Sequence, residues 1–411
     1  MKTKKPNAII YFFVYILIYP MLKICYGLKV NRKDFKKPKG ACIVLANHVS
    51  MYDFLMVMLS FYPKRLNAIT AHKWFLNKPL NKLLPIMGCI PKFMFDPDVK
   101  SVIAFKTVLK RGGGVLLFPE GRCSSSQTYV GIHTATGKLI KKLGVPVVSC
   151  YIEGAEICMA HWRKKTRFGR VQLTYKNLFT EDDLKNMSVD EINTTIDNRL
   201  SGNDNTTTRK KPLSTLWSRD LSEGLHHLLY YCPKCEQEYS MQTMDNTITC
   251  SVCGNSATYD RFGTLTPIGD SVFDDSIPIN FRNQVKHEMR LLHKDMTPIE
   301  VKVTMRNPSP VSGGGMIDVG VGTMSLDTKG WTFEGTLSEE ATTLLFPVDT
   351  IPAISYDHND NFQIYHNGMY YMFIPEDPIK CLKYVILTEC AHRRFASKVL
   401  MTLGKDSGFA E

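Results

Sequence analysis

The amino-terminal half of this chain is short of acidic side chains. Residues 1–200 hold 13 Asp and Glu against 32 Lys and Arg, a net charge of +19, whereas residues 201–411 hold 26 against 19, a net charge of −7. The overall +12 therefore belongs to the first half alone, and an anionic partner is expected there and not beyond it. A disulfide framework is also missing. Of the twelve cysteines, eight are scattered singly through apolar stretches and four form two CxxC pairs, the usage of a reducing compartment. No internal repeat is visible. With 44% hydrophobic and 22% charged residues the composition excludes a disordered chain, and 411 residues fit two or three domains.

The N-terminal apolar run falls short of a membrane span. Three lysines within Met1–Lys5 precede fifteen uncharged residues, Ala8–Leu22, broken near their end by Pro20. As a helix this run covers roughly 22 Å against a hydrocarbon core of about 30 Å. A monotopic or re-entrant anchor is the expectation for residues 1–39, with a signal-anchor span and a buried core helix as the alternatives. No small-x-small cleavage site follows in Leu22–Val30, which disfavours a secretory signal peptide. Lys29, Arg32, Lys33, Lys36, Lys37 and Lys39 suit anionic headgroups; their plain alternative is a solvated linker. The expected location is the cytoplasmic face of the cell membrane.

Residues 40–200 read as an α/β domain, a mixed sheet flanked by helices. Strands are expected at Ala41–Ala46, Asn67–Thr70, Val115–Phe118, Val145–Tyr151 and Val171–Tyr175. Helices are expected at Asp53–Phe61, Trp74–Leu84, Val99–Lys110, Thr136–Leu143 and Ser188–Leu200, the last with a capping box Ser188…Glu191. The polar stretch Ser201–Lys211 marks a boundary, and 201–230 is a linker and helix, the helix over Leu216–Tyr230. From about Ile277 the periodicity changes to two. Asn367-Gly368 between Phe362–Tyr365 and Met369–Phe373 is a two-residue hairpin signal, and a final helix is expected over Ile379–Leu403. Residues 277–405 thus form a β-rich domain whose order of elements resembles a PH or GRAM-like fold. Gly313-Gly314-Gly315 and Gly320-Val321-Gly322 precede no helix and read as hairpin turns.

Two polar clusters sit at the carboxyl ends of apolar strands. Asn47-His48-x4-Asp53 follows Ala41–Ala46, and Phe118-Pro119-Glu120-Gly121-Arg122 follows Val115–Phe118, 72 residues beyond His48. Alone, each is ordinary: Ser50 and Asp53 also satisfy a helix start. In an open α/β sheet, however, two such ends converge on one site.

Together they resemble the glycerolipid acyltransferase family, which includes the 1-acyl-glycerol-3-phosphate acyltransferases. The family's Asn-His-x4-Asp block is matched at Asn47, His48 and Asp53, its Phe-Pro-Glu-Gly block at Phe118–Gly121, and its hydrophobic block with proline at Val145-Pro146-Val147-Val148. The resemblance covers about residues 40–200. It departs at the Gly-x-Ile/Phe-x-x-x-Arg block, where Met94 stands in place of Arg and Lys92 is the nearest cation, and after Gly121, where Arg122 follows directly. The resemblance implies transfer of an acyl group from acyl-CoA or acyl carrier protein to the hydroxyl of a lysophospholipid acceptor. His48 is the expected general base, because histidine is the residue type suited to taking a proton near neutral pH, and Asp53 the group that fixes its tautomer. Backbone N–H groups near Gly121, or a nearby cation, are the candidates for oxyanion stabilisation. Arg122 and Lys92 are candidates for the acceptor phosphate. Glu120 either organises the loop or touches substrate. The alternatives are another lipid or glycolipid acceptor, and a catalytically inactive lipid-binding scaffold.

Cys232-x2-Cys235 and Cys250-x2-Cys253, fourteen residues apart, have the spacing of a four-thiolate structural zinc site, and residues 231–260 resemble a zinc ribbon. Metal binding is expected to supply the folding energy of a module too small for its own core. Glu236, Glu238 and Asp245 make it acidic, so a nucleic-acid partner is not expected; a spacer or protein-contact role is.

Overall fold

The computed structural model describes residues 3–95, 99–124, 126, 129–163, 165–202, 219–294, 299–309 and 315–396. The N-terminal part contains helix α1 (Ala8–Cys25) and strands β1 (Lys29–Asn31) and β2 (Cys42–Ala46), then α2 (Asp53–Ser60), β3 (Leu66–Ala71), α3 (Lys78–Ile86) and β4 (Ile90–Lys92). It continues with α4 (Val99–Lys110), β5 (Gly114–Leu117), α5 (Ala135–Leu143), β6 (Val147–Glu153), α6 (Ala155–Cys158), β7 (Gln172–Phe179), α7 (Glu181–Asn186) and α8 (Val189–Leu200). The strands form one seven-stranded mixed sheet in the order β1-β7-β6-β2-β5-β3-β4, parallel except where β6 meets β7.

Local chemistry explains the boundaries. All five residues of β2 are buried, as a central parallel strand covered by helices on both faces must be. Helix α5 stops at Gly144, whose left-handed φ of 60° lets its N–H reach the Ile140 carbonyl. Helix α8 opens with the expected reciprocal capping box between Ser188 and Glu191, and α7 carries a second one, Thr180 with Asp183.

Helix α1 lies along the domain. Its Tyr11 is fully buried and donates its hydroxyl to the Met58 carbonyl at 2.7 Å, and Tyr15 stacks on Tyr62 with ring centres 4.4 Å apart. The face turned away leaves Ile9, Phe12, Phe13, Ile16, Leu17 and Ile24 exposed.

The second half begins with the short helix α9 (Leu225–Leu228). Four short strands follow, β8 (Met241–Met244), β9 (Thr247–Cys250), β10 (Ser256–Tyr259) and β11 (Leu265–Ile268), in an antiparallel sheet. Then come α10 (Ile277–Lys294), β12 (Ile299–Pro308), β13 (Met316–Asp327), β14 (Gly330–Leu337), β15 (Glu340–Pro347), β16 (Ser355–Asp357), β17 (Asn361–His366), β18 (Met369–Pro375) and α11 (Cys381–Ala391). The long strands form a seven-stranded antiparallel sheet, β15-β14-β13-β12-β18-β17-β16, and the Asn367-Gly368 turn joins β17 to β18 as expected.

Four local expectations need correction. Gly320-Val321-Gly322 lies inside β13, paired with Gly335–Leu337 of β14, and is not a hairpin turn. Residues 277–294 open this region as an 18-residue helix rather than as strands. The helix expected over 216–230 is only one turn within the described residues. The final helix gives way to a π-helical turn at His392–Ala396, and the rest of its expected length lies outside the described residues, as do Gly313 and Gly314 and most of the 201–211 boundary. A fifth difference concerns packing. Met241, Ile248, Ala257 and Tyr259 of the small cysteine-bearing sheet share one continuous core with Trp331, Phe333 and Phe362 of the larger sheet. The small module does not lack a core; it borrows one.

Candidate functional site

His48 leaves the carboxyl end of β2, and Asp53 opens α2. The His48 Nδ1 lies 3.0 Å from Asp53 Oδ2. The Asp53 carboxylate is fully buried and accepts three further hydrogen bonds, from the Val49 N–H at 2.7 Å, the Ser50 N–H at 2.8 Å and the Ser50 hydroxyl at 2.6 Å. A carboxylate so fully supplied with donors is held in one orientation. It therefore fixes the His48 ring with Nδ1 as donor and leaves Nε2 for another group. Beneath the ring, Phe118 stacks with centres 4.3 Å apart.

Asn47 and Glu120 build the loop that carries the histidine. Asn47 pairs with Ile152 of β6 as a backbone would, accepting from its N–H at 2.7 Å and donating to its carbonyl at 2.9 Å. Glu120 accepts the His48 N–H at 2.7 Å through one oxygen and the Val130 N–H at 3.1 Å through the other. Burial pushes its carboxyl up to about 8, against the two N–H donors that favour its charge. Both of its oxygens are thus engaged by backbone N–H groups. Gly121 has φ 75°, which suits glycine, and its N–H closes a turn onto the Phe118 carbonyl at 3.1 Å. That N–H is engaged within the loop, which leaves a nearby cation as the other expected source of oxyanion stabilisation.

His48 faces a cavity of about 180 Å³ whose wall includes Met51, Trp74, Lys92, Met94, Gly121 and Arg122. The sequence did not disclose its far wall. Ile354, Ser355 and Tyr356 at β16 and Val385 on α11 close the cavity from the C-terminal region. Lys73 also lines it and is held by Asp357 at 2.6 Å. The run His72-Lys73-Trp74 at the end of β3 was the available signal, a basic and aromatic cluster at a strand's carboxyl end. Arg122 faces the same cavity, but its guanidinium is gripped by Glu389 of α11, with Nη2 3.1 Å from Oε2. Burial draws Arg122 down to about 10, with the nearby Arg393 charge acting in the same direction.

Far from this cavity, the sulfurs of Cys232, Cys235, Cys250 and Cys253 lie within 4.8 Å of one another. Cys232 and Cys253 are 3.6 Å apart, as are Cys235 and Cys250. Four thiolates at 2.3 Å from a tetrahedral ion are separated by about 3.8 Å, so these side chains fit a zinc-sized ion. The two CxxC turns are alike: the residues that follow, Glu236 and Gly254, both have left-handed φ, and their N–H groups return to the Cys232 and Cys250 carbonyls at 2.9 and 3.0 Å. Of the acidic residues of this module, Glu238 is turned inward on the chain's own cations, while Glu236 and Asp245 are exposed. Glu238 pairs with Lys383 of α11 and lies 3.2 Å from His287 of α10.

The Acyltransferase family matches residues 27–153. Among solved structures, the chain is similar to the 1-acyl-sn-glycerophosphate (LPA) acyltransferase PlsC from Thermotoga maritima, with a TM-score of 0.37 and 18% identity over 49% of this chain and 96% of that one. It is also similar to the PH domain of the human oxysterol binding protein-related protein 11, with a TM-score of 0.19 and 12% identity over 29% of this chain and 95% of that one. The matched residues contain both His48 with Asp53 and the Phe118–Gly121 block, and through them this chain carries a domain of the acyltransferase family.

Proposed function

We propose that the chain is an O-acyltransferase that moves a fatty acyl group from a thioester, acyl-CoA or acyl carrier protein, to the hydroxyl of a lysophospholipid such as 1-acyl-glycerol-3-phosphate. The observation that carries this reading is the His48 Nδ1 to Asp53 contact of 3.0 Å at the mouth of the cavity. With Nδ1 engaged, Nε2 takes the proton of the acceptor hydroxyl. The oxygen attacks the thioester carbonyl carbon, forming the C–O bond. As the tetrahedral intermediate collapses, the C–S bond breaks and the departing thiolate takes the proton back from His48, leaving free thiol. Asp53 stabilises the imidazolium in between, and no acyl-enzyme is needed. Because the Gly121 N–H is turned inward, we assign oxyanion stabilisation to a cavity-lining cation, Lys73 or Lys92.

Membrane association belongs to the same proposal. Helix α1 continues past the expected Ala8–Leu22 run to Cys25, which corrects the expectation that it is too short: its 18 residues have the length and composition of a spanning helix, with 11% of them buried. Its docked tyrosine edge and exposed apolar face suit a helix lying on the cytoplasmic membrane surface. The four cysteines are assigned to a structural zinc ion that holds the two CxxC turns together, with no part in the reaction.

The test is release of free thiol from acyl-CoA and from acyl carrier protein, against lysophosphatidic acid, other lysophospholipids and a glycolipid. Turnover that survives unchanged in His48→Ala overturns the assignment, and turnover with the glycolipid alone changes the acceptor class.

A further inference from the structure

A second cavity, of about 80 Å³, lies behind the catalytic one, between the loop after Glu120 and helices α10 and α11. Arg122 and Val385 line both, so the two spaces share a wall. The second cavity has an unusual charge balance. Its lining carries the guanidiniums of Arg122, Arg282 and Arg393 and one carboxylate, Glu389. Glu389 is committed to Arg122 and stands 4.0 Å from Arg393, while Arg282 has no carboxylate partner among the described residues. The rest of the lining is largely apolar, with Phe281 and Val385 among it.

With three guanidiniums and one carboxylate in its lining, this small, partly apolar space is positive in balance and attracts an anion. Guanidinium is also the group best matched to phosphate oxygens, through paired N–H donors. We infer that this cavity is a phosphate subsite, in which Arg282 and Arg393 join Arg122 to hold a phosphate group of one of the two substrates while the reacting portion lies in the cavity of His48. Two of the three guanidiniums thus lie outside residues 27–153, and the C-terminal helices contribute directly to substrate recognition. The identity of the phosphate's owner rests on the acyl-transfer reading: it is either the phosphate ester of the acceptor or a phosphate of the coenzyme A donor.

The test is calorimetric titration of the full chain with glycerol 3-phosphate and, separately, with coenzyme A. Unsubstituted protein is compared with Arg282→Gln, Arg393→Gln and Arg282→Lys, each first checked for cooperative melting. Either glutamine variant is expected to weaken one or both probes by about tenfold and to flatten the salt dependence, with Arg282→Lys recovering most of the affinity. The probe that weakens identifies the phosphate's source. Unchanged binding of both probes in both glutamine variants overturns the subsite, as does an equal loss in Arg282→Gln and Arg282→Lys with unaltered salt dependence. Should no donor and acceptor pair support turnover while Arg282→Gln still weakens a probe, acyl transfer fails and the subsite stands.

Discussion

Arg122 and Glu389, 267 positions apart in the chain, form a two-pronged ion pair at the seam between the acyltransferase sheet and helix α11. The pair ties the loop after Glu120 to the C-terminal region and sets the charge of the wall between the two cavities. Glu389→Gln is expected to cost about 2–3 kcal/mol of stability, because it leaves a half-buried guanidinium with a neutral partner. It should also tighten glycerol 3-phosphate or coenzyme A binding at low salt. Denaturant titration and calorimetry on the same preparation check both.

His48→Ala removes the proposed base and should lower kcat/KM by at least about a thousandfold, with cooperative melting retained. Asp53→Asn should lower activity by about ten thousandfold and also destabilise the chain by about 2–3 kcal/mol, since this carboxylate accepts three donors besides the His48 ring. Thiol release and chemical denaturation separate the two effects.

Glu120 gives the stability a pH signature. Its carboxyl, at about 8 in the folded chain against 4.5 for the free group, binds a proton more tightly when folded. The resulting stabilisation is fully present below about 4.5 and is lost as pH rises through 8, so stability falls across that window. Glu120→Gln, which resembles the protonated form, should flatten this dependence. Unfolding midpoints between pH 5 and 8 decide it.

One zinc per chain is expected after purification without chelator. Because the cysteine-bearing strands share a core with the larger sheet, stripping the metal or making Cys250→Ser should lower the melting temperature of the whole C-terminal region, by about 10 °C or more. Elemental analysis and calorimetry are the measurements. A small, isolated transition would contradict the shared core.

Phe13 and Leu17, 53% and 68% exposed on α1, should enter the lipid interface. Phe13→Asp with Leu17→Asp is expected to weaken co-sedimentation with anionic vesicles by about a hundredfold, without altering the Tyr11 and Tyr15 contacts that dock the helix.

What could be read in the sequence was local. His48, Asp53 and Glu120 stand within a few residues of strand ends, so strand periodicity alone brings their backbones to one edge of a sheet. The cysteine spacing was similarly self-contained. Helix α10 carries Ile277, Phe281, Val285, Met289 and Leu292 at helical spacing, a signal that the period-two pattern of the strands beyond it overshadows. The cavity's far wall was not legible at all. Tyr356, Val385 and Glu389 look like ordinary members of a strand and a helix, and only tertiary packing turns them toward His48 and Arg122.

A wall supplied by Tyr356 and Val385 also fixes when the site comes into being. During synthesis His48 leaves the ribosome about 300 residues ahead of β16 and α11, so the cavity is enclosed only once those two elements have emerged and folded. A chain interrupted before β16 holds the His48 and Asp53 pair in an open trough. Docking of β16 and α11, not folding of the sheet that bears His48, is the step that encloses the chemistry.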